Sequence, residues 1–409
     1  MSTIASSGHE TAEPSLPTRE VEVLHETQTG LIERIFSLVD AGATDFGEVE
    51  TTWPIEHYFD PQRFEAERTM LEAYPVPIAA SSQLQRPGDY VTERAWGKPV
   101  VVVRSESGGL NAFFNVCRHR GTELISAPCG NGLRRFVCPY HAWTYSLDGE
   151  LTNVPDQSGS FPGLDRGERG LRRLTVEERH GLVWVSPAGE NGDAMVRAFL
   201  GPELDDEFES AGFGRYVYYR EESWAGKYNW KCAVESFLEN YHFAVLHRDS
   251  TNPIFIHNLG VYDRLNLHFR AIAPKKSIRD LRDLDPSEWE LRPHATILYV
   301  VFPFSIFFVE KSHFSLLQII PEEVDLCRVR AIHCVQHERL SLRPFYEANI
   351  GLFMAAIRED LGICESMQRG FRSGANTEVV FGRNEVGCHA YRACIEEQLA
   401  AAAVNGGGR

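Results

Sequence analysis

Residues 117 to 143 read CRHRGTELISAPCGNGLRRFVCPYHAW and contain two short metal-ligand patterns. The first is a Cys-x-His pair, Cys117 and His119, and the second is a Cys-x-x-His pair, Cys138 and His141. Gly121 follows the first pair and a proline lies inside the second, so both pairs are predicted to lie at loop tips. Two thiolates and two imidazoles suit either a structural Zn(II) ion or an iron-sulfur cluster with mixed ligands.

The order of the ligands bears on the choice between these metal centres. Zinc fingers commonly pair Cys with Cys and His with His, whereas each loop here supplies one of each. This order favours a [2Fe-2S] cluster in which both cysteines bind one iron and both histidines bind the other. A structural zinc ion, and a chance pattern without metal, stay open as alternatives at this point. Cys129, between the two pairs, is expected to be a free thiol.

Length and composition limit the class of protein. The chain has 409 residues, more than one hydrophobic core usually supports, so two domains are expected. A formal net charge of -16 argues against nucleic acid or anionic lipid as a partner. Nine scattered cysteines do not indicate a disulfide framework. The first 25 residues lack the apolar segment of a secretory signal, and the longest apolar run, residues 297 to 309, is too short to span a bilayer. We therefore expect a cytoplasmic protein without membrane contact.

The texture of the chain indicates two kinds of structure. Short β-type runs separated by Gly, Pro, Asn and Asp predict a small antiparallel β domain over about residues 75 to 185. The second half reads as α+β. Its predicted elements are an amphipathic helix at residues 229 to 242, strands at 264 to 273, 296 to 309, 313 to 320 and 327 to 335, and a helix at 345 to 369; a further helix is predicted at 24 to 42.

The helix predicted at residues 229 to 242 contains a second group of candidate ligands. Glu235, Glu239 and His242 would project from the side opposite its apolar face. Alone, this pattern also fits an ordinary solvated helix face. His247 lies five residues beyond His242, so the two imidazoles could converge only if the helix ends or distorts there. The apolar face would comprise Trp230, Val234, Phe237 and Tyr241.

A carboxylate from the helix at residues 345 to 369 completes this group. Asp360 lies on the edge of the apolar stripe of that helix, whereas Glu359 is predicted to point away from it. A carboxylate on the packed side must be paired, protonated or bound to metal, because an unpaired buried charge costs several kcal/mol. Two histidines and one aspartate would form the facial triad that suits non-haem Fe(II) and leaves positions open for dioxygen.

Taken together, the two groups resemble the oxygenase α subunit of the Rieske non-haem iron oxygenases, which include the aromatic-ring-hydroxylating dioxygenases. The resemblance spans about residues 75 to 370 and implies an α+β fold. A β-rich Rieske [2Fe-2S] domain would be joined to a helix-grip, START-like catalytic domain with an antiparallel sheet. The expected divisions are an N-terminal arm and helix at 1–52, the Rieske domain at 53–190 and the catalytic mononuclear-iron domain at 191–409. The motifs are Cys117-x-His119, Cys138-x-x-His141, Glu239-x-x-His242-x4-His247 and EDLGICESMQRG around Asp360.

The resemblance also implies roles for individual residues. Glu239 would be the catalytic carboxylate that hydrogen-bonds a ligand histidine and leads electrons to the iron from the cluster of a neighbouring chain, in a ring of three chains. One departure is visible, because Ser236 lies where many relatives have Asn. The implied [2Fe-2S] ligands are Cys117, His119, Cys138 and His141, and the implied Fe(II) ligands are His242, His247 and Asp360.

The implied activity is that of the oxygenase component of a multicomponent system. It would use O2 and electrons from NAD(P)H, delivered by a separate reductase with or without a ferredoxin, to hydroxylate a small hydrophobic aromatic or alicyclic substrate. The alternative is a monooxygenase or demethylase of a quaternary amine, because an aromatic-lined cavity would serve both substrates. A homotrimer is expected, and an additional β subunit stays open. A zinc-stabilised interaction module or a lipid-carrying helix-grip protein would each explain only one of the two groups.

Overall fold

The computed structural model describes residues 18–187 and 194–406. Most of the N-terminal arm, predicted at residues 1 to 20, and the predicted boundary at residue 190 lie outside these residues. A helix at Thr18–Ala41 confirms the helix predicted at 24 to 42. Within the described part of the chain, no helix combines the length and apolar character needed to cross a lipid bilayer.

The β segment predicted at residues 75 to 185 forms an antiparallel sheet, here called the first sheet. One of its inner strands, Lys98–Arg104, contains four consecutive valines that are fully buried on both faces. Alternate residues point to opposite faces, so Val100 and Val102 pack into the main core while Val101 and Val103 pack beneath the ligand loops. In spatial order the strands are Val76–Ala80, Leu182–Ser186, Arg173–Arg179, Leu110–Phe114, Lys98–Arg104, Tyr90–Ala95 and Cys129–Gly130.

A small sheet carries the second ligand loop. Its strands, in order, are Phe136–Val137, Thr144–Tyr145 and Leu151–Asn153. The loop that contains Cys138 and His141 connects the first two of these strands. The phenyl ring of Phe136 and the phenol ring of Tyr145 are fully buried, and they share a core with both motif cysteines. The small sheet thereby fixes the loop against the first sheet.

A second antiparallel sheet forms the other half of the molecule and confirms the α+β class. The strand predicted at 296 to 309 is two strands, Ala295–Val301 and Ser305–Val309, because Pro303 lies in the turn between them. Tyr216–Gly226 was not predicted as a strand. In spatial order the strands are Tyr216–Gly226, Leu326–Gln336, His313–Glu323, Ser305–Val309, Ala295–Val301, His268–Pro274 and Val261–Leu265.

Helices cover the second sheet on the side of the candidate iron site. The long helix Arg343–Phe371 confirms the helix predicted at 345 to 369 and buries its apolar stripe in the main core. The remaining α-helices of the described residues are Pro61–Leu71, Gln157–Ser160, Met195–Leu200, Pro202–Ser210, Trp230–Glu235 and Val386–Gly406. Short 3-10 turns occur at Ile55–Tyr58, Ser81–Gln83, Gly167–Arg169, Phe213–Arg215, Tyr241–Ala244, Lys276–Asp283, Pro286–Glu288 and His337–Leu342.

The helix predicted at residues 229 to 242 is too long. Asn229 caps its start by accepting a hydrogen bond from the Lys231 amide, and the α-helix ends at Glu235. The Ser236 hydroxyl donates to the Ala233 carbonyl at 2.9 Å, a local bond of the kind that competes with helical hydrogen bonds. The chain resumes as a 3-10 turn at Tyr241–Ala244, and Tyr241, predicted to be on the buried face, is 59% exposed.

Segments before the first sheet pack against the second half of the chain. Strand Thr51–Pro54 pairs with Glu378–Phe381, and helix Pro61–Leu71 begins with Pro61 behind the N-cap Asp60. From this helix the fully buried Glu67 accepts a hydrogen bond from Lys231 at 2.6 Å. The division of the chain at residue 52 stays a prediction.

Candidate metal centres and the cavity beside them

Each of the two loops that contain a Cys–His pair is closed by a hydrogen bond within its own backbone. In one loop the Gly121 amide donates to the Cys117 carbonyl at 3.0 Å, and in the other the Ala142 amide donates to the Cys138 carbonyl at 3.0 Å. Gly121 has a φ of 82°, which a residue without a side chain adopts without strain. These tight turns hold each Cys–His pair in a fixed orientation.

The two loops bring the four motif residues together. Cys117 and Cys138 are buried beneath the tips, and the imidazole rings of His119 and His141 lie 4.7 Å apart between centroids. The indole ring of Trp143 stacks on His119 at 4.8 Å and shields it from water on one side. Tyr145 places its hydroxyl 3.3 Å from the Cys117 sulfur. The apolar cover predicted for Trp143 is present, whereas Tyr140 is 59% exposed.

The donor atoms at the loop tips fit an iron-sulfur cluster. The Nδ1 atoms of His119 and His141 are buried, and within the described residues they have no hydrogen-bond partner. Orphaned buried nitrogens of this kind are rare unless a ligand satisfies them. A structural zinc ion needs four donor atoms grouped around one point, but no three of the four motif residues form such a group. The arrangement therefore fits two irons, each with two protein ligands, better than one zinc ion. Cys129 is exposed on its edge strand, away from this pocket of donors.

The second candidate centre is a compact group of two histidines and one aspartate. His242, His247 and Asp360 each offer a donor atom, and these atoms all lie within 4.8 Å of one another. Nε2 of His247 is 2.9 Å from Asp360 Oδ1, and Nε2 of His242 is 3.4 Å from the same oxygen. In the part of the chain that the structure describes, this is the one such group of three or more residues. The 3-10 turn at Tyr241–Ala244 allows the two imidazoles to converge although they are five residues apart.

Two carboxylates hold the imidazoles from behind. Glu239 accepts a hydrogen bond from Nδ1 of His242 and also from the Tyr241 and His242 amides. Glu359 accepts from Nδ1 of His247 at 2.7 Å. A proton on Nδ1 leaves the Nε2 lone pair of each ring free for a metal ion. Both carboxylates therefore favour the tautomer in which Nε2 can bind a metal ion.

Glu359 points away from the apolar stripe of its helix, as predicted, yet it belongs to the iron site. The helix Arg343–Phe371 does turn Glu359 away from its own apolar stripe, but the loop after His247 passes over that side of the helix. Glu359 also accepts a hydrogen bond from the Ser250 hydroxyl at 2.7 Å, which fixes its carboxylate. The helical period locates Asp360 correctly, at 6% exposure, but it contains no information about a loop that is distant in sequence.

The electrostatic environment of His242, His247 and Asp360 favours a bound cation. Burial alone would lower the pKa of His242, yet the carboxylates of Asp360 and Glu239 outweigh it and raise the pKa to about 10. The pKa of His247 is also raised, against burial, by Asp360 and Glu359. Oδ1 of Asp360 lies within reach of both imidazoles, at 2.9 Å from Nε2 of His247 and 3.4 Å from Nε2 of His242. The carboxylates stabilise positive charge between the imidazoles, as a site for a divalent metal ion requires.

A cavity of about 300 Å³ opens directly beside this group. Its wall next to the metal ligands is aromatic: the ring of Phe243 lies 5.0 Å from that of His242 and 5.4 Å from that of His247. Phe308 and Phe353 form a further edge-to-face pair at 4.8 Å. Ser236, which lies where many relatives have Asn, also lines the cavity. Its hydroxyl is bonded to the Ala233 carbonyl rather than to a ligand histidine.

A second recess, of about 630 Å³, reaches the same group from another side. Glu239, His242 and Asp360 line both spaces. Its rim includes Val380, which is 65% exposed. None of the four motif residues on the loop tips lines either space. The two candidate centres therefore lie in separate regions of one described chain.

Replacement of Glu359 tests its role behind His247. In Glu359→Ala the imidazole loses its acceptor, so we expect Fe(II) to bind roughly 10- to 100-fold more weakly. Glu359→Gln keeps an acceptor oxygen and should restore most of the affinity. Iron retained during dialysis against graded chelator measures both variants. Fe(II) bound as tightly by Glu359→Ala as by the unchanged protein would contradict this role.

Models of two known protein families match the two regions that contain the candidate metal centres. The model of the Rieske [2Fe-2S] domain matches residues 74–166, and that of the ring hydroxylating alpha subunit, catalytic domain, matches residues 209–401. These matches confirm the fold expected from the two motifs. Neither a zinc-stabilised interaction module nor a lipid carrier accounts for them.

Individual relatives include both amine and aromatic oxygenases. The oxygenase subunit of carnitine monooxygenase from Acinetobacter pittii is 27% identical over 334 residues, which cover 80% of this chain and 86% of the relative. Benzene 1,2-dioxygenase subunit alpha from Pseudomonas putida is 30% identical over 188 residues, which cover 45% of this chain and 41% of the relative. Among solved structures, the quaternary ammonium Rieske monooxygenase CntA with L-carnitine shares the fold, with a TM-score of 0.70, 23% identity, and coverage of 86% of this chain and 94% of that one.

Proposed function

Since the chain belongs to the Rieske non-haem iron oxygenases, as an oxygenase α subunit with a [2Fe-2S] cluster and a mononuclear iron, we propose that it oxidises a quaternary amine. The reaction would insert one oxygen atom of O2 into a C–H bond next to the nitrogen. The other oxygen atom would leave as water, with two electrons from NAD(P)H. The product then separates into an amine and an aldehyde.

The aromatic wall beside the ligand histidines carries this proposal. The rings of Phe243, Phe308 and Phe353 line the cavity, and the negative faces of such rings attract methylated ammonium groups. Phe243 contacts both ligand histidines, so an ammonium held against it would present its neighbouring carbon to the iron site. The substrate would be oriented by its charge.

The length over which the relatives align with this chain supports the same substrate class. The sequence alignment with the carnitine monooxygenase subunit extends over 80% of this chain and 86% of the relative. Benzene dioxygenase aligns over less than half of either chain. The aromatic or alicyclic substrate expected first from the sequence is therefore less well supported than the quaternary amine.

The geometry above supports an assignment of the residues that would hold the metals. We assign the cluster to Cys117, His119, Cys138 and His141, and Fe(II) to the triad of His242, His247 and Asp360. When bound, these centres supply single electrons and the activation of dioxygen, respectively. Glu239 and Glu359 hold the imidazole tautomers, and the apolar walls of the cavity keep water from the reacting carbon.

Electron transfer would require more than one chain. We propose that three chains assemble head to tail as a homotrimer. In this assembly His141 of one chain would lie close to Glu239 of the next. Apolar side chains support this contact, because Tyr140 on the loop tip is 59% exposed and Val245 beside the triad is 84% exposed. Exposed apolar side chains in two different regions of one chain fit a heterologous contact that closes into a ring. A separate reductase, with or without a ferredoxin, would reduce the cluster.

A charge placed in this contact should separate the chains. Val245→Asp is expected to shift the protein from trimer to monomer in light scattering, and to lower reductase-driven turnover at least about 10-fold, because a carboxylate would be desolvated in the contact. Val404→Asp is the matched control, since Val404 is 81% exposed on the C-terminal helix. A Val245→Asp protein that stays trimeric and active would refute the proposed contact.

A single-turnover experiment tests the substrate class without the unidentified reductase. The iron-loaded protein is chemically reduced, mixed with oxygenated buffer and one candidate substrate, and the product is quantified by mass spectrometry. We expect turnover of at least one of L-carnitine, γ-butyrobetaine, glycine betaine and choline, and none of benzene or naphthalene. Oxidation of the aromatic hydrocarbons alone would overturn the proposal.

A further inference from the structure

An ion pair lies in the wall of the proposed substrate cavity, among both polar and apolar side chains. Lys275 follows the strand His268–Pro274 and Glu310 follows the strand Ser305–Val309, so both side chains project from the same edge of the second sheet. Their Nζ and Oε2 atoms are 2.8 Å apart. Thr296 donates its hydroxyl hydrogen to the other carboxylate oxygen of Glu310 at 2.6 Å. All three residues line the cavity that reaches His242, His247 and Asp360.

Stability alone is a weak reason for an ion pair at this place. The two side chains are 19% and 27% exposed, and partly buried ion pairs of this kind are often replaced by apolar residues without loss of stability. The surrounding wall shows that apolar side chains are accommodated here, since Ile254, Ala273 and Leu298 also line the cavity. An ion pair at this place is better explained by a ligand that occupies the cavity.

The hydrogen bonds of the pair leave the Lys275 ammonium able to donate to a ligand in the cavity. Both oxygens of Glu310 are engaged, one by Thr296 and the other by Lys275. Among the described residues, the one acceptor bonded to the Lys275 ammonium is Glu310, so two of its three protons remain for another acceptor. Glu310 thus positions a cationic donor inside the cavity, and its own acceptor atoms are already in use.

The pair is separated from the iron site by aromatic rings. Phe255 contacts Phe243 at 5.6 Å between ring centroids, and its backbone pairs with that of Lys275. Phe243 in turn contacts His242 and His247. The cavity therefore has an aromatic end at the metal ligands and a cationic donor beyond those rings.

We infer that Lys275 binds a carboxylate of the substrate, so that the substrate is a zwitterion with a quaternary ammonium at one end and a carboxylate at the other. This inference rests on the proposed function and narrows it to betaine-type compounds. The ammonium would lie against the rings near the triad and the carboxylate against Lys275, which fixes the carbon that is oxidised. A quaternary amine without a carboxylate would gain nothing from this lysine, and an uncharged hydrocarbon would use neither end.

Binding measurements with paired ligands test the inference. γ-Butyrobetaine, L-carnitine and glycine betaine are each compared with their methyl esters, which keep the ammonium and lose the negative charge. Calorimetry on the anaerobic holoenzyme is expected to show at least one acid bound roughly 10- to 100-fold more tightly than its ester. Lys275→Met should remove this preference by weakening the acid and leaving the ester nearly unchanged, and it should raise KM for the acid more than it lowers kcat.

Lys276→Met is the matched control. Lys276 is the next residue, and its ammonium is bonded to the carbonyls of Asn252 and Pro253, away from the proposed carboxylate. The cluster absorbance of each variant confirms that it is folded, and Lys275→Gln, which keeps a polar side chain, serves as a second test of the charge. Both Lys275 variants should lose the preference, and the Lys276 variant should keep it.

The outcomes distinguish this inference from the proposed function. If the esters bind and turn over as well as the acids, or if Lys275→Met and Lys275→Gln keep the preference for the acid, the inference is wrong while the quaternary-amine function stands. If the protein binds neither acids nor esters nor choline, both are wrong. A preference for the acid that disappears only in the Lys275 variants establishes the carboxylate contact.

Discussion

Asp360→Ala is expected to abolish turnover and leave the cluster intact. Asp360 supplies the one carboxylate of the triad, and its Oδ1 atom lies within 3.4 Å of both imidazole Nε2 atoms. Without it the two histidines alone would hold Fe(II) weakly, and the fall in turnover should exceed the 10- to 100-fold typical of losing an outer partner, reaching about 1000-fold or more. Iron should decrease from about three to about two per chain, with about two acid-labile sulfides retained.

Asp325→Ala is the control for this substitution. Asp325 pairs with Arg372 at 2.5 Å on the surface, so its removal changes the charge by the same amount without touching a metal ligand. It should keep turnover and all of the iron. Full turnover in Asp360→Ala would remove the assignment of this residue to the iron.

Cys138→Ala is expected to give the reciprocal result. The Cys138 sulfur is buried in the core beneath the loop tips, and it is assigned as one of the two thiolate ligands of the cluster. Its loss should eliminate the visible absorbance of the cluster and the acid-labile sulfide, and iron should decrease to about one per chain. Turnover driven by a reductase should be undetectable, because no electrons would reach the mononuclear iron.

The exposed thiol between the two pairs provides the control. Cys129→Ala changes the same atom type in the same segment, but Cys129 lies on an edge strand at the surface. It should keep the cluster and turnover. A Cys138→Ala protein with an unchanged cluster spectrum would show that the ligand assignment is wrong.

The sequence was sufficient for the parts of the site that depend on local spacing. The two Cys–His pairs lie within 25 residues of each other, and turn-forming residues mark their loops, so the pattern itself indicates which side chains meet. Asp360 could be located from the period of its own helix, because a carboxylate at the edge of an apolar stripe must have a partner. The fold class followed from the contrast between a β-type first half and a mixed second half.

Residues whose partners are distant in sequence could not be located in the same way. Glu359 belongs to the iron site only because the loop after His247 returns to its side of the helix. Glu235, predicted on the side of its helix opposite the apolar face, is buried and accepts a hydrogen bond from Tyr58, 177 residues away; local periodicity does not register such a partner. Lys275 and Glu310 meet because their strands end at one edge of the second sheet, which requires the strand order.

Iron, zinc and acid-labile sulfide per chain in anaerobically purified protein test the central claim most directly, namely that this chain holds a [2Fe-2S] cluster and a mononuclear iron at the assigned residues. We expect about three irons, about two sulfides and no zinc. About one zinc per chain without sulfide would instead identify a structural zinc site at Cys117, His119, Cys138 and His141, and would contradict the oxygenase account from its first step.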